Sequence, residues 1–158
     1  MAALKTAPLR HQHEAMRQQM VALKKHLNPF LLTQNATEVR NTLNKLFAEF
    51  GKHLQQEGKD LYPTLNASAD AKVKAVADKF GQEMKLTLPR MAEFNRRWPD
   101  GAAIRANASQ FLKEADGMTK WLDRRFAAEN AELYPLLDKT DVEQLGDLTA
   151  SDLKVHRI

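Results

Sequence analysis

Two pairs of side chains in this sequence are spaced to do chemistry together: His53 with Glu57, and Arg125 with Glu129. Each pair is four residues apart, which on a helix stacks both side chains on one face, a turn from each other. The segments that carry them repeat one another. HLQQEGKDLYPTL at 53–65 and RFAAENAELYPLL at 125–137 align at a constant offset of 72, matching Glu57, Leu61, Tyr62, Pro63 and Leu65 to Glu129, Leu133, Tyr134, Pro135 and Leu137. Imidazoles and carboxylates gathered at one point ligate metals, whereas an arginine among carboxylates forms ion pairs. The mismatch of His53 against Arg125 therefore carries most of the functional question.

Both pairs must be placed by helices. Leu9, His13, Met16, Met20, Leu23 and Leu27 recur at spacings of 4, 3, 4, 3 and 4, one stripe of a helix expected over about residues 8–27 and stopped by Asn28-Pro29. A second helix is expected to open on a capping box at Asn35 and Glu38, to bury Val39, Leu43, Leu46, Phe50, His53, Glu57 and Leu61, and to end or kink before Pro63. The next cap is expected in residues 66–68. A third helix over 69–97 is expected to bury Val73, Ala77, Phe80, Met84, Leu88, Met91 and Phe94. A fourth, capped by Asp100, is expected to bury Ile104, Ala108, Phe111, Ala115, Met118, Leu122, Arg125, Glu129 and Leu133.

Four long helices with short breaks predict an all-α, antiparallel up-down-up-down four-helix bundle over residues 1–137, with a tail at 138–158 that opens a short helix at Thr140. The second and fourth helices then run in one direction and present their pairs at the same depth. His13 is compatible with that level. Burying these charges is costly unless they are paired or hold an ion, so His13, His53, Glu57, Arg125 and Glu129 are the informative residues.

Composition narrows the classes. The chain has 158 residues, enough for one domain with a real core, and no Cys, so disulfides and thiolate sites are excluded. No stretch has the length of a signal peptide core or a membrane span, and the expected location is cytoplasmic. The net charge of +4 comes from 24 Lys and Arg against 20 Asp and Glu, spread as doublets over the surface, without the aromatic interleaving or Gly-rich loops of nucleic-acid or nucleotide sites. No nucleophile and base are arranged for catalysis, so no enzyme is expected. The expected partner is a protein or a small ligand, neither nucleic acid nor membrane, and a homo-oligomer is compatible with the sequence.

The doubled E-x-x-x-L-Y-P, with H-x-x-x-E-x-x-x-L-Y-P complete at 53–63, resembles the hemerythrin-like, or HHE cation-binding, family over roughly residues 9–137. The resemblance implies a four-helix bundle whose usual members hold two iron ions and bind oxygen or sense oxygen, iron or redox state. His13, rather than His11, matches its first-helix histidine, and His53 and Glu57 match its second-helix pair. The family's third-helix histidine has no counterpart, the nearest inward residue being Met84 with Glu83 beside it. On the fourth helix its H-x-x-x-E reads as Arg125 and Glu129.

Arginine keeps its proton and cannot be a ligand. The first expectation is accordingly a metal-free polar core, in which the Arg125 guanidinium bridges Glu57 and Glu129, within a non-enzymatic binding or regulatory module that needs no cofactor. The alternative is an iron-binding protein that holds one or two ions on His13, His53, Glu57 and Glu129 and senses oxygen, iron or redox state. Tyr62 and Tyr134 are expected to bury their rings and keep their hydroxyls wet. His11, His26 and His156 are expected at the surface, and the methionines as core filling that could also accept an apolar ligand.

Overall fold

A computed structural model describes residues 4–139, and every regular element among them is helical. Helix α1 (Ala7–Lys24) carries Pro8 in its first turn, where a missing N–H costs nothing, and buries Leu9, His13, Met16, Met20 and Leu23 as the spacing predicts. Asn28 ends that run and opens α2 (Pro29–Gln34), its side-chain oxygen accepting from the Leu31 N–H at 2.8 Å. Helix α3 (Ala36–Asp60) buries the expected row through His53 and Glu57. The capping box expected at Asn35 and Glu38 does not form. Asn35 closes α2 as well as opening α3, and its amide is committed to the Leu31 carbonyl at 2.8 Å.

Leu61 interrupts the chain before Pro63, and α4 (Tyr62–Asn66) comes next. Helix α5 (Ala71–Arg97) is capped by Asp70, whose carboxylate accepts from the Lys72 N–H at 2.9 Å, and so begins later than residues 66–68 would have it. Leu88, expected inward, is 46% exposed, and Thr87 takes the buried position. A residue three after Met84 keeps the phase that Met91 continues, and Thr87 can be buried at little cost because its hydroxyl donates to the Glu83 carbonyl at 2.9 Å. The expected fourth helix is divided. Asp100 caps α6 (Gly101–Ala106) through the Ala103 N–H at 2.8 Å, and α7 (Ala108–Ala128) resumes after Asn107. A π-helical turn at Glu129–Leu133 succeeds it, and residues 134–139 are again helical.

The long helices α1, α3, α5 and α7 share a core that falls into two apolar clusters. The larger holds Met16, Leu43, Phe50, Phe94, Phe111 and Phe126 among others, and the smaller holds Leu9, Leu61, Leu65, Phe80, Leu133 and Leu137. His13, His53, Glu57, Arg125 and Glu129 lie in sequence between members of the two clusters on every helix that carries them, and all are buried. The polar layer is thus bounded by apolar packing on both sides, which keeps water out of it.

The last described helical turn packs beside the start of α1: the Thr6 hydroxyl donates to the Asp138 carboxylate at 2.9 Å and Arg10 approaches it at 3.4 Å. The short helix expected from Thr140 and the surface position of His156 lie outside the described residues. Among the described residues, no helix is long and apolar enough to cross a membrane.

Helix α6 sits tightly on the start of α3. A Cβ on Gly101 would lie 2.6 Å from the Thr37 hydroxyl oxygen and 2.9 Å from its backbone nitrogen. Gly101→Ala should therefore destabilise the protein by about 1–3 kcal/mol in urea unfolding, although alanine is the better helix former. A neutral result would show that the two helices separate freely.

Candidate metal centre

Four donors from three elements meet at one point. His13 comes from α1, His53 and Glu57 from α3, and Glu129 from the first residue of the π turn. One donor atom from each lies within 4.8 Å of all the others, and all four residues are buried. His13 Nε2 is 3.0 Å from both Glu129 Oε1 and His53 Nε2, and His53 Nε2 is 3.3 Å from Glu57 Oε2. The sequence-predicted ligand set is thus brought together whole. His11 is exposed and off the site, whereas His26 is half-buried rather than at the surface.

The two imidazoles are oriented from outside the cluster. His13 Nδ1 donates to the Asn130 side-chain oxygen at 2.9 Å, and His53 Nδ1 to that of Gln12 at 2.8 Å. Gln12 is itself fixed by its amide nitrogen, which donates to Gln56 at 2.7 Å. With each Nδ1–H committed outward, both Nε2 atoms face the common centre, each free to carry a proton there or, once deprotonated, to offer its lone pair to a cation. The Phe126 ring stacks on His13 with centroids 4.4 Å apart and fixes its plane.

Tyr134 departs from expectation. Its side chain is fully buried, its hydroxyl donates to Glu57 Oε2 at 2.8 Å, and the same oxygen lies 3.0 Å from His13 Nε2 and 3.2 Å from His53 Nε2. A phenol at a helix end keeps its hydroxyl wet only where the chain stops, and here helix continues through residues 134–139 and carries the ring inward. Tyr62, its counterpart in the repeat, is half-buried and receives Arg125 Nη2 at 3.5 Å.

Arg125 does not bridge Glu57 and Glu129. Its guanidinium donates to Glu83 Oε2 at 2.9 Å and to the Phe80 carbonyl at 2.8 Å, both on α5, and lies over the Phe80 ring with its centre 4.8 Å from the centroid. Only Nε faces the cluster, 3.6 Å from Glu129 Oε2, too long for a hydrogen bond but close enough to attract. Glu83 therefore supplies the α5 contact, while Met84 packs in the larger apolar cluster. Sequence reasoning missed Gln12, Asn130 and Phe126; the first two directly precede or follow ligand candidates, and no spacing signal marks the third.

The field inside the layer arises from this geometry. Burial alone would lower the His53 pKa, but hydrogen bonds to Glu129 and Glu57 and their charges raise it to about 9. Burial drives Glu57 up to about 7 against the pull of His53. Glu129 goes the other way: burial opposes ionisation, yet hydrogen bonds from His13 and His53 and the charge of Arg125 hold its carboxyl well below the usual range. Without an ion, protons on His53 and on Glu57 offset the charge gathered in the layer.

These charges make stability depend on pH. A raised His53 contributes stability in full below its unfolded pKa of 6.5, and loses it as pH rises through about 9; a raised Glu57 loses its contribution between 4.5 and about 7. The depressed Glu129 acts oppositely, losing its contribution as pH falls below 4.5. Metal-free protein should melt highest near about pH 4.5 and lose stability toward pH 9 in calorimetry, and a flat or rising profile over that range would contradict the protonated cluster. Arg125→Leu should cost about 2–4 kcal/mol, because it leaves the buried Glu129 carboxylate without its neighbouring counter-charge. A neutral effect in chemical denaturation would mean that Arg125 does not compensate the layer.

The sequence matches the hemerythrin HHE cation binding domain over residues 5–137. Neither a curated protein nor a solved structure matches the chain.

Proposed function

The chain belongs to the hemerythrin HHE cation-binding family, and on that premise we propose that it is a binding module for a single divalent ion, iron(II) first among them, held by His13, His53, Glu57 and Glu129. The observation that carries this is the pair of imidazoles, each anchored through Nδ1–H by an outer amide and each aiming Nε2 into the same dry point between two carboxylates. Once both imidazoles are neutral, their Nε2 lone pairs 3.0 Å apart repel unless a cation lies between them. A set of two imidazole nitrogens and two carboxylate oxygens, with no thiolate, suits borderline and hard first-row ions. Glu57 Oε1 and Glu129 Oε2 are buried without an ordinary hydrogen-bond donor, which a cation would supply to both at once.

One ion fits this layer and two do not. The guanidinium of Arg125 brings a permanent positive charge beside Glu129 and is held there by Glu83 on α5, the third long helix. A second cation would have to displace it. Tyr134, with its oxygen near three of the four ligands, stands as a further donor or as the group that closes the site from solvent. When bound, iron would supply a centre that changes valence or accepts a small ligand, which suits a module responding to oxygen, iron or redox state. The residues themselves fix the donors, exclude water and release protons as the ion enters.

A second reading also has support. Arg125 already places a cation in the layer and protons close the remaining contacts, which suits a metal-free core in a binding or regulatory module. Metal analysis of protein purified without chelators from iron-supplemented cells separates the two. About one iron per chain is expected; a folded, metal-free protein overturns the proposal in favour of the second reading, and two ions per chain overturn the role given to Arg125. Gln12→Leu, which touches no ligand carboxylate, should weaken iron binding by about 10- to 100-fold in a competition titration.

A further inference from the structure

Away from the polar layer, α5 and α7 leave between them a cleft of about 610 Å³, in the size range of small-molecule sites. Its deep wall is apolar: Met91 and Phe94 are buried, and Met118 and Trp121 half-buried. Part of the opening comes from Gly117, in the middle of α7. A Cβ there would meet no atom within 4 Å, so the glycine faces empty space, at a cost to helix stability of about 1 kcal/mol relative to alanine. No crowding in the described fold requires a glycine at that position.

The rim of the cleft is cationic. Arg90, Lys113 and Arg124 line it, are exposed, and have no ion-pair partner among the described residues. The two carboxylates that also line it are engaged: Glu93 pairs with Arg96, and Glu114 with Arg97 at 3.0 Å. Three free positive charges therefore surround an apolar, aromatic-walled cleft. Charge of one sign around a low-dielectric pocket selects a ligand of the opposite sign.

We propose that this cleft binds a small amphipathic anion, an apolar or aromatic body seated against Met91, Phe94, Met118 and Trp121, with a carboxylate or sulfonate head held by Arg90, Lys113 and Arg124. None of these residues belongs to the candidate metal centre, so the proposal stands independently of it.

The test uses the full chain and the fluorescent probe 1-anilinonaphthalene-8-sulfonate, with dodecanoate as competitor. Expected are one saturable site per chain, with a dissociation constant on the order of tens of micromolar, and displacement by dodecanoate. Binding should weaken with salt. N-phenyl-1-naphthylamine, which lacks the sulfonate, should bind at least about tenfold more weakly. Gly117→Leu, which fills the cleft, should abolish binding while circular dichroism stays unchanged. Should that variant fail to fold, Lys113→Glu combined with Arg124→Glu, both at exposed positions, should weaken the anionic probe about tenfold and leave the neutral one unaffected. Absence of saturable binding, equal affinity for the two probes, or full binding by folded Gly117→Leu would each overturn the proposal.

Discussion

The polar layer obeys one constraint: nitrogen and oxygen lone pairs converging in a dry core need positive charge at their centre. Two imidazole Nε2 atoms, two carboxylates and a phenol oxygen meet within a few ångströms, with apolar packing above and below. In such surroundings the repulsion between unpaired acceptors is far stronger than in water. Protons on His53 and Glu57 satisfy the constraint at one cost, and a metal ion would satisfy it at another. The same residues can serve either state because protons and cations compete for the same electron pairs.

Arg125 complicates and stabilises that arrangement. Its charge does not depend on pH, and its hydrogen bonds are made to α5 rather than to the ligands. It neutralises Glu129 from behind, leaving Oε1 to face His13. The guanidinium thus acts as a fixed counter-charge at the edge of the centre, tying the wall formed by α5 to the helix that carries Glu129. That fixed cation on one side distinguishes this layer from a symmetric pair of His-and-carboxylate sites.

The two LYP segments show how far a repeat can diverge in backbone while keeping its letters. After Glu57 the helix stops at Asp60, and Pro63 sits in the first turn of a new short helix, so Tyr62 reaches only the edge of the layer. From Glu129 the chain widens into a π turn and goes on as helix, so Tyr134 enters the centre. A π turn inserts extra backbone within one turn and rotates the residues downstream of it, a device that recurs at functional sites.

The sequence by itself determined the all-α class, the inward register of the helices that bear the site and the identity of His13, His53, Glu57 and Glu129 as the buried polar set, because each rests on a periodicity of 3.6 residues set by local backbone geometry. It also marked Arg125 as the odd member. Undecided in it were relations between helices: that Arg125 turns to Glu83 and Phe80 instead of Glu57, that Gln12 and Asn130 orient the imidazoles, that Tyr134 enters the centre, and that Gly117 opens a cleft. Spacing along one helix says which face a side chain occupies, but its partner there depends on the rotation and distance of neighbouring helices, which only the packed tertiary structure sets.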